Sequence, residues 1–216
     1  MSGRGIVIVG TGGSARETLV LLRDIQREFP DRWDFRGFVA PHDPEPGVLE
    51  RLGARFLGDP QTFAAGEKND CAFVVGIGNP RYRRAMDDTM TDLGFEATTL
   101  VHPSARIGDD VAVGVGSTIC AFSVLTTNIR IGKSAQINIA CVVAHDARIG
   151  DYLTLAQSVN IAGNVRIGDD VTLHTQAIVD RGRTIGSTAV VGSGSVVTRD
   201  IDAGVTALGV PARPKA

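Results

Sequence analysis

His145 stands directly beside Asp146, an imidazole next to a carboxylate, which is the pairing that general-base chemistry uses. An unperturbed imidazole titrates at about pH 6.5, so near neutrality it is largely a free base, able to take a proton from an amine or a hydroxyl. An adjacent acid orients the ring and raises its basicity. The other three histidines read differently. His42 lies in a Pro/Asp-rich loop and reads as solvated, and His102 precedes Pro103 and reads as a structural cap. His174 follows Leu173 and reads as a surface residue with a place in a subunit cleft as its alternative.

A second set of residues has the spacing for phosphate chemistry. Gly10-Thr-Gly-Gly-Ser-Ala15 follows the apolar run Gly5 to Val9 and opens an amphipathic segment, Arg16 to Glu28, with Leu19, Leu22 and Ile25 on one side. A glycine turn there exposes backbone N–H groups at a helix start, where they attract phosphate oxygens. Alone, Gly10-x-Gly12-x-x-Ala15 is also compatible with a plain tight turn. A dinucleotide site wants an acid at the end of the second strand, about 20 residues on, and Val39-Ala40-Pro41 stands there instead. That argues against NAD and for a pyrophosphate-linked sugar. Cys71, Cys120 and Cys141 match no metal or redox spacing and read as buried, reduced thiols. A metal-dependent hydratase would need three convergent histidines. Only His145 and His174 qualify, so no metal is expected.

These residues sit in two kinds of chain. In the first, strands at Gly5 to Val9, Asp34 to Val39 and Cys71 to Val75 alternate with helices at Arg16 to Glu28 and Pro80 to Leu93, which predicts a small parallel sheet. In the second, from Val101 to Val197, an aliphatic residue recurs at every sixth position without a miss, and the residue four places later is mostly small or apolar. That period identifies a hexapeptide β-helix, with three hexads to a triangular coil. Coils stacked about 4.8 Å apart give a prism roughly 25 Å tall. Gly108, Gly114, Gly132, Gly150, Gly168, Gly186 and Gly192 follow the aliphatic residue and are expected to supply the unusual angles of the corners. Arg183 is the one ill-fitting inward residue. The periodicity switches between Gly94 and Thr99, which gives domains at 1–96 and 97–216.

Composition adds limits. A chain of 216 residues with 43% hydrophobic content and a net charge of −2 reads as soluble and globular, with no reason to expect nucleic acid or an anionic lipid surface. No apolar run is long enough for a bilayer, and Met1 to Gly10 lacks the pattern of a signal peptide. The expected location is cytoplasmic.

The whole chain resembles the left-handed β-helix sugar acetyltransferases with an N-terminal nucleotide-sugar domain, such as the bacillosamine-pathway and sialic-acid-operon enzymes. The shared stretches are Val7-Ile-Val-Gly-Thr-Gly-Gly13, Gly76-Ile-Gly-Asn79, Val101-His-Pro-Ser-Ala105, Val143-Ala-His-Asp146, Ala162-Gly-Asn-Val-Arg-Ile-Gly168 and Gly209-Val-Pro-Ala212. The resemblance implies a small Rossmann-like α/β domain followed by an all-β left-handed parallel β-helix. Handedness comes from it alone, because the general rule for crossovers gives right-handed coils. It further implies an acetyl-CoA-dependent N-acetyltransferase acting on a UDP- or dTDP-linked 4-amino-4,6-dideoxy sugar, with no metal, in a homotrimer whose clefts hold pantetheine. Carried over by position, His145 is the general base, Asp146 its orienting acid and Gly163 the oxyanion donor. Thr154, Thr175 and Ser193 fall at acyl-donor contacts, and Gly12, Gly13, Ser14, Gly78 and Asn79 at nucleotide-sugar contacts. This chain departs from close relatives at Ser14, where they have histidine, from one relative at Thr154, where a histidine contacts the thioester, and at Ala40-Pro41, where some have paired acids. Two alternatives stand: a sugar O-acetyltransferase of the sialic-acid type using the same His145, and a non-catalytic trimeric scaffold.

Overall fold

The computed structural model describes residues 3–66 and 71–215. Met1 and Ser2, at the start of the stretch read for a signal peptide, lie outside them.

The N-terminal unit is a four-stranded, all-parallel sheet in the order β2-β1-β3-β4, with β1 at Arg4–Val9, β2 at Trp33–Val39, β3 at Cys71–Val75 and β4 at Glu96–Ala97. Because β1 and β3 are buried on both faces they read as continuous apolar runs. Helix α1 (Gly13–Glu28) packs Leu19, Leu22 and Ile25 with Ile6 and Ile8, whereas Val7 and Val9 face the other way, toward Phe63 and Met90. The helix begins earlier than its apolar pattern suggests. Gly12 is the N-cap, so Gly13 and Ser14 belong to the first turn. Two short helices carried no legible period, α2 (Val48–Arg51) and α3 (Pro60–Gly66), and α4 (Pro80–Asp92) follows the turn after β3.

From Leu100 to Val197 the chain winds as a three-sided prism of two- and three-residue strands, each paired in parallel with the strand 18 residues away, as Gln136 is with Thr118 and Thr154. The first face carries Thr118–Ile119, Gln136–Ile137, Thr154–Leu155, Thr172–Leu173 and Val190–Val191. The second carries Val124–Leu125, Val142–Val143, Asn160–Ile161 and Ile178–Val179. The third carries Ile129–Ile131, Arg148–Ile149, Arg166–Ile167 and Thr184–Ile185. The sixth-position aliphatics from Ile119 to Val197 are buried, joined by Ala135, Cys141, Leu153, Val159 and Val171, and together they form one continuous core. Arg183 lies near the surface, 3.6 Å from Asp200, as a guanidinium at a narrow apolar axis must.

The corner glycines act for a different reason from the one expected. Gly108, Gly114, Gly132, Gly150, Gly168, Gly186 and Gly192 all lie outside the left-handed region. They are small because the next coil crosses directly over them. A Cβ on Gly114, for example, would sit 2.5 Å from the carbonyl carbon of Gly132. The left-handed conformation falls two residues further on and also repeats every sixth residue, at Asn128, Ser134, Ala140, Asp146, Tyr152, Ser158, Asn164 and Asp170.

The N-terminal unit sits on the first face. Arg83 of α4, fully buried, donates from Nε to the Ser134 carbonyl, from Nη1 to the Ile77 and Gly78 carbonyls, and from Nη2 to the Tyr152 and Leu153 carbonyls and Thr154 Oγ1, all at 2.7–3.0 Å. Burial pulls its pKa down to about 10, which leaves it charged at neutrality. Around it, Tyr152 donates to Asp87 at 2.6 Å and Arg84 stacks on the Tyr152 ring while pairing with Asp170. His102 is more than a cap: its Nε2 lies 3.2 Å from Asp24 of α1, tying helix to first coil. No helix among the described residues is long and apolar enough to cross a membrane.

Candidate active site

The glycine turn closes a cleft of about 420 Å³ lined by Gly10, Gly12, Gly13, Ser14, Gly76 and Gly78, with Ala40, Pro41, His42 and Asp43 opposite. Ala15 and Gly76 touch there, for a Cβ on Gly76 would lie 2.5 Å from the Ala15 Cα. The small residue in the last motif position is thus what lets α1 approach β3. His42, read as solvated, is exposed and lines this cleft.

Ser14 and Gly78 also border a second cleft, about 410 Å³, between the N-terminal unit and the first face of the prism. Its far wall presents Gln136, Asn138, Thr154, Gln157, Thr172 and His174. His174 is exposed, as a surface residue should be, and lines this cleft within the chain. Asn79 lies on the near wall, where its side-chain oxygen caps α4 by accepting from the Arg81 and Tyr82 amides at 3.0 and 3.3 Å. Its amide nitrogen faces no such duty. Thr154, placed by the resemblance at an acyl-donor contact, lines this cleft. Its hydroxyl donates to the Gly78 carbonyl at 2.8 Å and accepts from Arg83 at 2.9 Å, so its one proton is committed within the protein.

His145 and Asp146 form the two central residues of a corner between the second and third faces. Their side chains meet, Nδ1 to Oδ2, at 2.6 Å. Since a carboxylate only accepts, in the neutral ring Nδ1 carries the proton and Nε2 the lone pair. The hydrogen bonds from His145 and then from Asn128, with the positive charge of Arg148 adding to them, hold the Asp146 carboxyl below its usual range. One coil above, Gly163 lies against the ring: a Cβ there would be 2.5 Å from His145 Cε1 and 2.6 Å from Nε2. The Gly163 amide donates to no protein acceptor among the described residues. A base nitrogen and a free N–H donor thus adjoin.

Thr175 and Ser193 occupy successive coils of another edge, between the first and second faces, below which stands Gln157, the acceptor of the Thr175 hydroxyl at 3.3 Å. The structure therefore groups the predicted residues in three places: the glycine clefts, the Thr175 edge and the His145 edge. Sequence reasoning missed Asn128, which supports Asp146 from the coil below, and Arg148, which reaches down from the coil of Asp146 to hold Asn128. Subtracting one 18-residue coil from Asp146 would have found Asn128. Among the described residues no group of three or more His, Cys, Asp or Glu could hold a metal. Cys71 and Cys141 are buried, and Cys120 is half-buried rather than fully so.

A three-faced parallel prism carrying a nucleotide-binding type of α/β unit defines a left-handed β-helix acyltransferase. A mutant of perosamine N-acetyltransferase from Caulobacter crescentus, solved with CoA and GDP-perosamine, superimposes with a TM-score of 0.85 at 33% identity, over 98% of this chain and 97% of that one. The acetyltransferase domain of PglB from Neisseria gonorrhoeae, solved with acetyl coenzyme A, gives 0.87 at 25% identity, over 99% and 100%. WeeI from Acinetobacter baumannii gives 0.84 at 29%, over 97% and 99%. A curated relative, the GDP-perosamine N-acetyltransferase of Escherichia coli O157:H7, is 36% identical over 67 residues, a stretch that spans 31% of this chain and 30% of that protein. No family model matches the chain. The chain belongs to the hexapeptide-repeat sugar N-acetyltransferases, as the resemblance implied.

Proposed function

We propose that this protein transfers the acetyl group of acetyl-CoA to the amino group of a nucleotide-linked 4-amino-4,6-dideoxy sugar, with His145 as general base. The observation that carries this reading is the His145 ring, oriented by Asp146 and seated against the free Gly163 amide. The sugar nitrogen attacks the thioester carbonyl carbon, and His145 Nε2 takes the proton that the nitrogen loses. The tetrahedral oxyanion is held by the Gly163 N–H, a contribution on the order of 3 kcal/mol. The C–S bond then breaks, and the departing thiolate recovers the proton from the imidazolium.

A trimeric assembly fits where the parts lie. The nucleotide cleft opens on the first face, and the edge bearing His145 is opposite that face in a triangular section. That separation favours a site completed by a neighbouring protomer. The second face suits that contact: its outward residues include Val124, Val142, Ile178 and Val196, and Ile178 is 41% exposed. A homotrimer packed on this face sets Thr175 and Ser193 of one protomer beside His145 of the next, with pantetheine between them. Gly12, Gly13, Ser14, Gly78 and Asn79 hold the nucleotide sugar. The names of the relatives add GDP to the UDP and dTDP forms that the sequence suggested.

The test is acetyl-CoA consumption over GDP-, UDP- and dTDP-linked amino sugars, with His145→Ala beside the wild type. Turnover on one acceptor, lost in the variant while acetyl-CoA affinity stays within about twofold, is the expected result. A variant with near-normal kcat overturns the assignment.

A further inference from the structure

A ladder of arginine clamps climbs the edge where the second and third faces meet. On its lowest rung Arg130 donates from Nη1 to the Asp110 carbonyl at 2.7 Å and from Nη2 to the Asp110 carboxylate at 2.6 Å. One coil higher Arg148 repeats both bonds on Asn128, to the carbonyl at 2.6 Å and to Oδ1 at 3.1 Å. The next rung would join Arg166 to Asp146, and it is not made. The Arg166 side chain has no hydrogen bond or ion pair among the described residues, and the Asp146 carboxylate is turned to His145 and Asn128. The three residues at the clamped position are geometrically equivalent, with φ of 54° at Asp110, 51° at Asn128 and 63° at Asp146.

The side-chain type at 128 accounts for the break. A carboxylate there, as at Asp110, would present oxygens alone to Asp146 and repel it. An amide has both functions. Arg148 can only donate, which fixes Oδ1 on its side, and the Asp146 carboxylate can only accept, which fixes Nδ2 on the other. The resulting chain runs Arg148 to Asn128 to Asp146 to His145, crossing from one coil to the next.

We propose that Asn128, held by Arg148, is a positioning residue for acetyl transfer: it locks the Asp146 carboxylate onto His145 and keeps it from the unpaired Arg166. This rests on His145 being the general base. The charged groups around Asp146 are His145 at its own corner, Arg148 and Arg166 on the third face, Arg130 on the coil of Asn128, and Asp110 one coil below that.

Asn128→Asp keeps size and shape, and Asp110 shows that an aspartate tolerates this backbone. At pH 8 its kcat should fall at least about tenfold with acetyl-CoA affinity within about twofold. Two facing carboxyls cannot both ionise readily, so they come to share a proton as the pH drops, and the shared proton restores the bond to Asp146. The ratio of variant to wild-type kcat should therefore rise severalfold between pH 8 and pH 6. Asn128→Ala should lose kcat without that rise. A kcat for Asn128→Asp within about twofold of wild type throughout, or a pH-independent loss matched by loss of thermal stability or of acetyl-CoA binding, overturns the proposal. His145→Ala separates the two levels. If it is inactive while Asn128→Asp is normal, only the role of Asn128 falls; if His145→Ala is active, the base assignment falls and takes this role with it.

Discussion

The imidazole of His145 lies against the backbone of Gly163, one coil above it, with no room for even a methyl group between them. In the same column of corners stand Thr127, His145, Gly163 and Arg181, so the single position without a side chain is the one that the ring covers. Gly163 lies outside the left-handed region, so alanine meets no backbone strain there. Gly163→Ala should fold normally and push the ring off its carboxylate, with kcat reduced on the order of 10²-fold or more. Wild-type turnover in this variant, measured by CoA release, would mean that the ring's seat has no part in the chemistry.

Asp146→Asn removes the charge but keeps the shape, and asparagine accepts the left-handed φ as Asn128 does. The His145 tautomer is no longer fixed, so kcat should fall by roughly 10²–10⁴. The pH dependence has a defined sign. Because the hydrogen bonds from His145 and Asn128 depress the Asp146 carboxyl in the folded state, its stabilising effect is present above the unfolded value of about 3.9 and is lost as pH falls through the folded value. Melting curves of wild type and variant should differ by a constant amount from about pH 5 to 8 and converge toward pH 3. Convergence already at pH 6 would show that another group dominates.

Much of the prism was legible because a coil has a fixed length: six residues place an aliphatic side chain inward, and no other period fits Val101 to Val197. The dyad was legible as two adjacent residues. What joins Asp146 to Asn128 was hidden, since the link spans three hexads. The reason for the corner glycines was also misread. Their φ values are ordinary, and what excludes a side chain is the next coil, a relation between residues 18 apart. The left-handed column could not be seen at all, because Tyr152, Ser158 and Gln176 are not residue types that mark that conformation. The engagement of Thr154 by Arg83 was likewise out of reach, for it depends on how α4 docks on the first face.

That distinction between crowding and backbone angle is testable. A Cβ on Gly150 would fall on the Asp169 side chain and 2.9 Å from its amide nitrogen, so Gly150→Ala should destabilise by about 1–3 kcal/mol. The corresponding drop in Tm is about 2–4 °C per kcal/mol for a chain of this size. Thr188, a β-branched residue at φ 62°, should tolerate glycine. Relief of about 1–2 kcal/mol of strain offsets the roughly 0.5–1 kcal/mol of added chain entropy. The opposite ranking in thermal melts would restore the conformational explanation for the glycines.

The thiols should be inert. Burial pushes Cys120 up to about 12 and Cys141 up to about 11, so at pH 8 their thiolate fractions are roughly 10⁻⁴ and 10⁻³. Cys71 is buried in β3. A disulfide-exchange reagent should therefore label less than one thiol per chain within minutes in native protein and all three in denaturant. Rapid labelling of Cys120, which borders a small surface pocket, would show that the region opens.

Arg83 connects the glycine turn to the prism, and its replacement should be felt in both. In Arg83→Met the carbonyls of Ser134, Ile77 and Tyr152 lose their donor, whereas Gly78 and Leu153 keep the Thr154 hydroxyl and the Gln136 amide, and buried acceptors left unpaired cost about 1–3 kcal/mol each before relaxation. A net loss on the order of 3–5 kcal/mol, or roughly 6–20 °C in Tm, is expected. Arg83→Lys keeps the charge but offers three donors where the guanidinium makes six bonds, so it should recover only part of that stability. Because Gly78 borders both clefts, the lysine variant should raise KM for the nucleotide sugar more than KM for acetyl-CoA. Equal shifts in the two constants would mean that Arg83 supports the fold alone and leaves the nucleotide turn as it was.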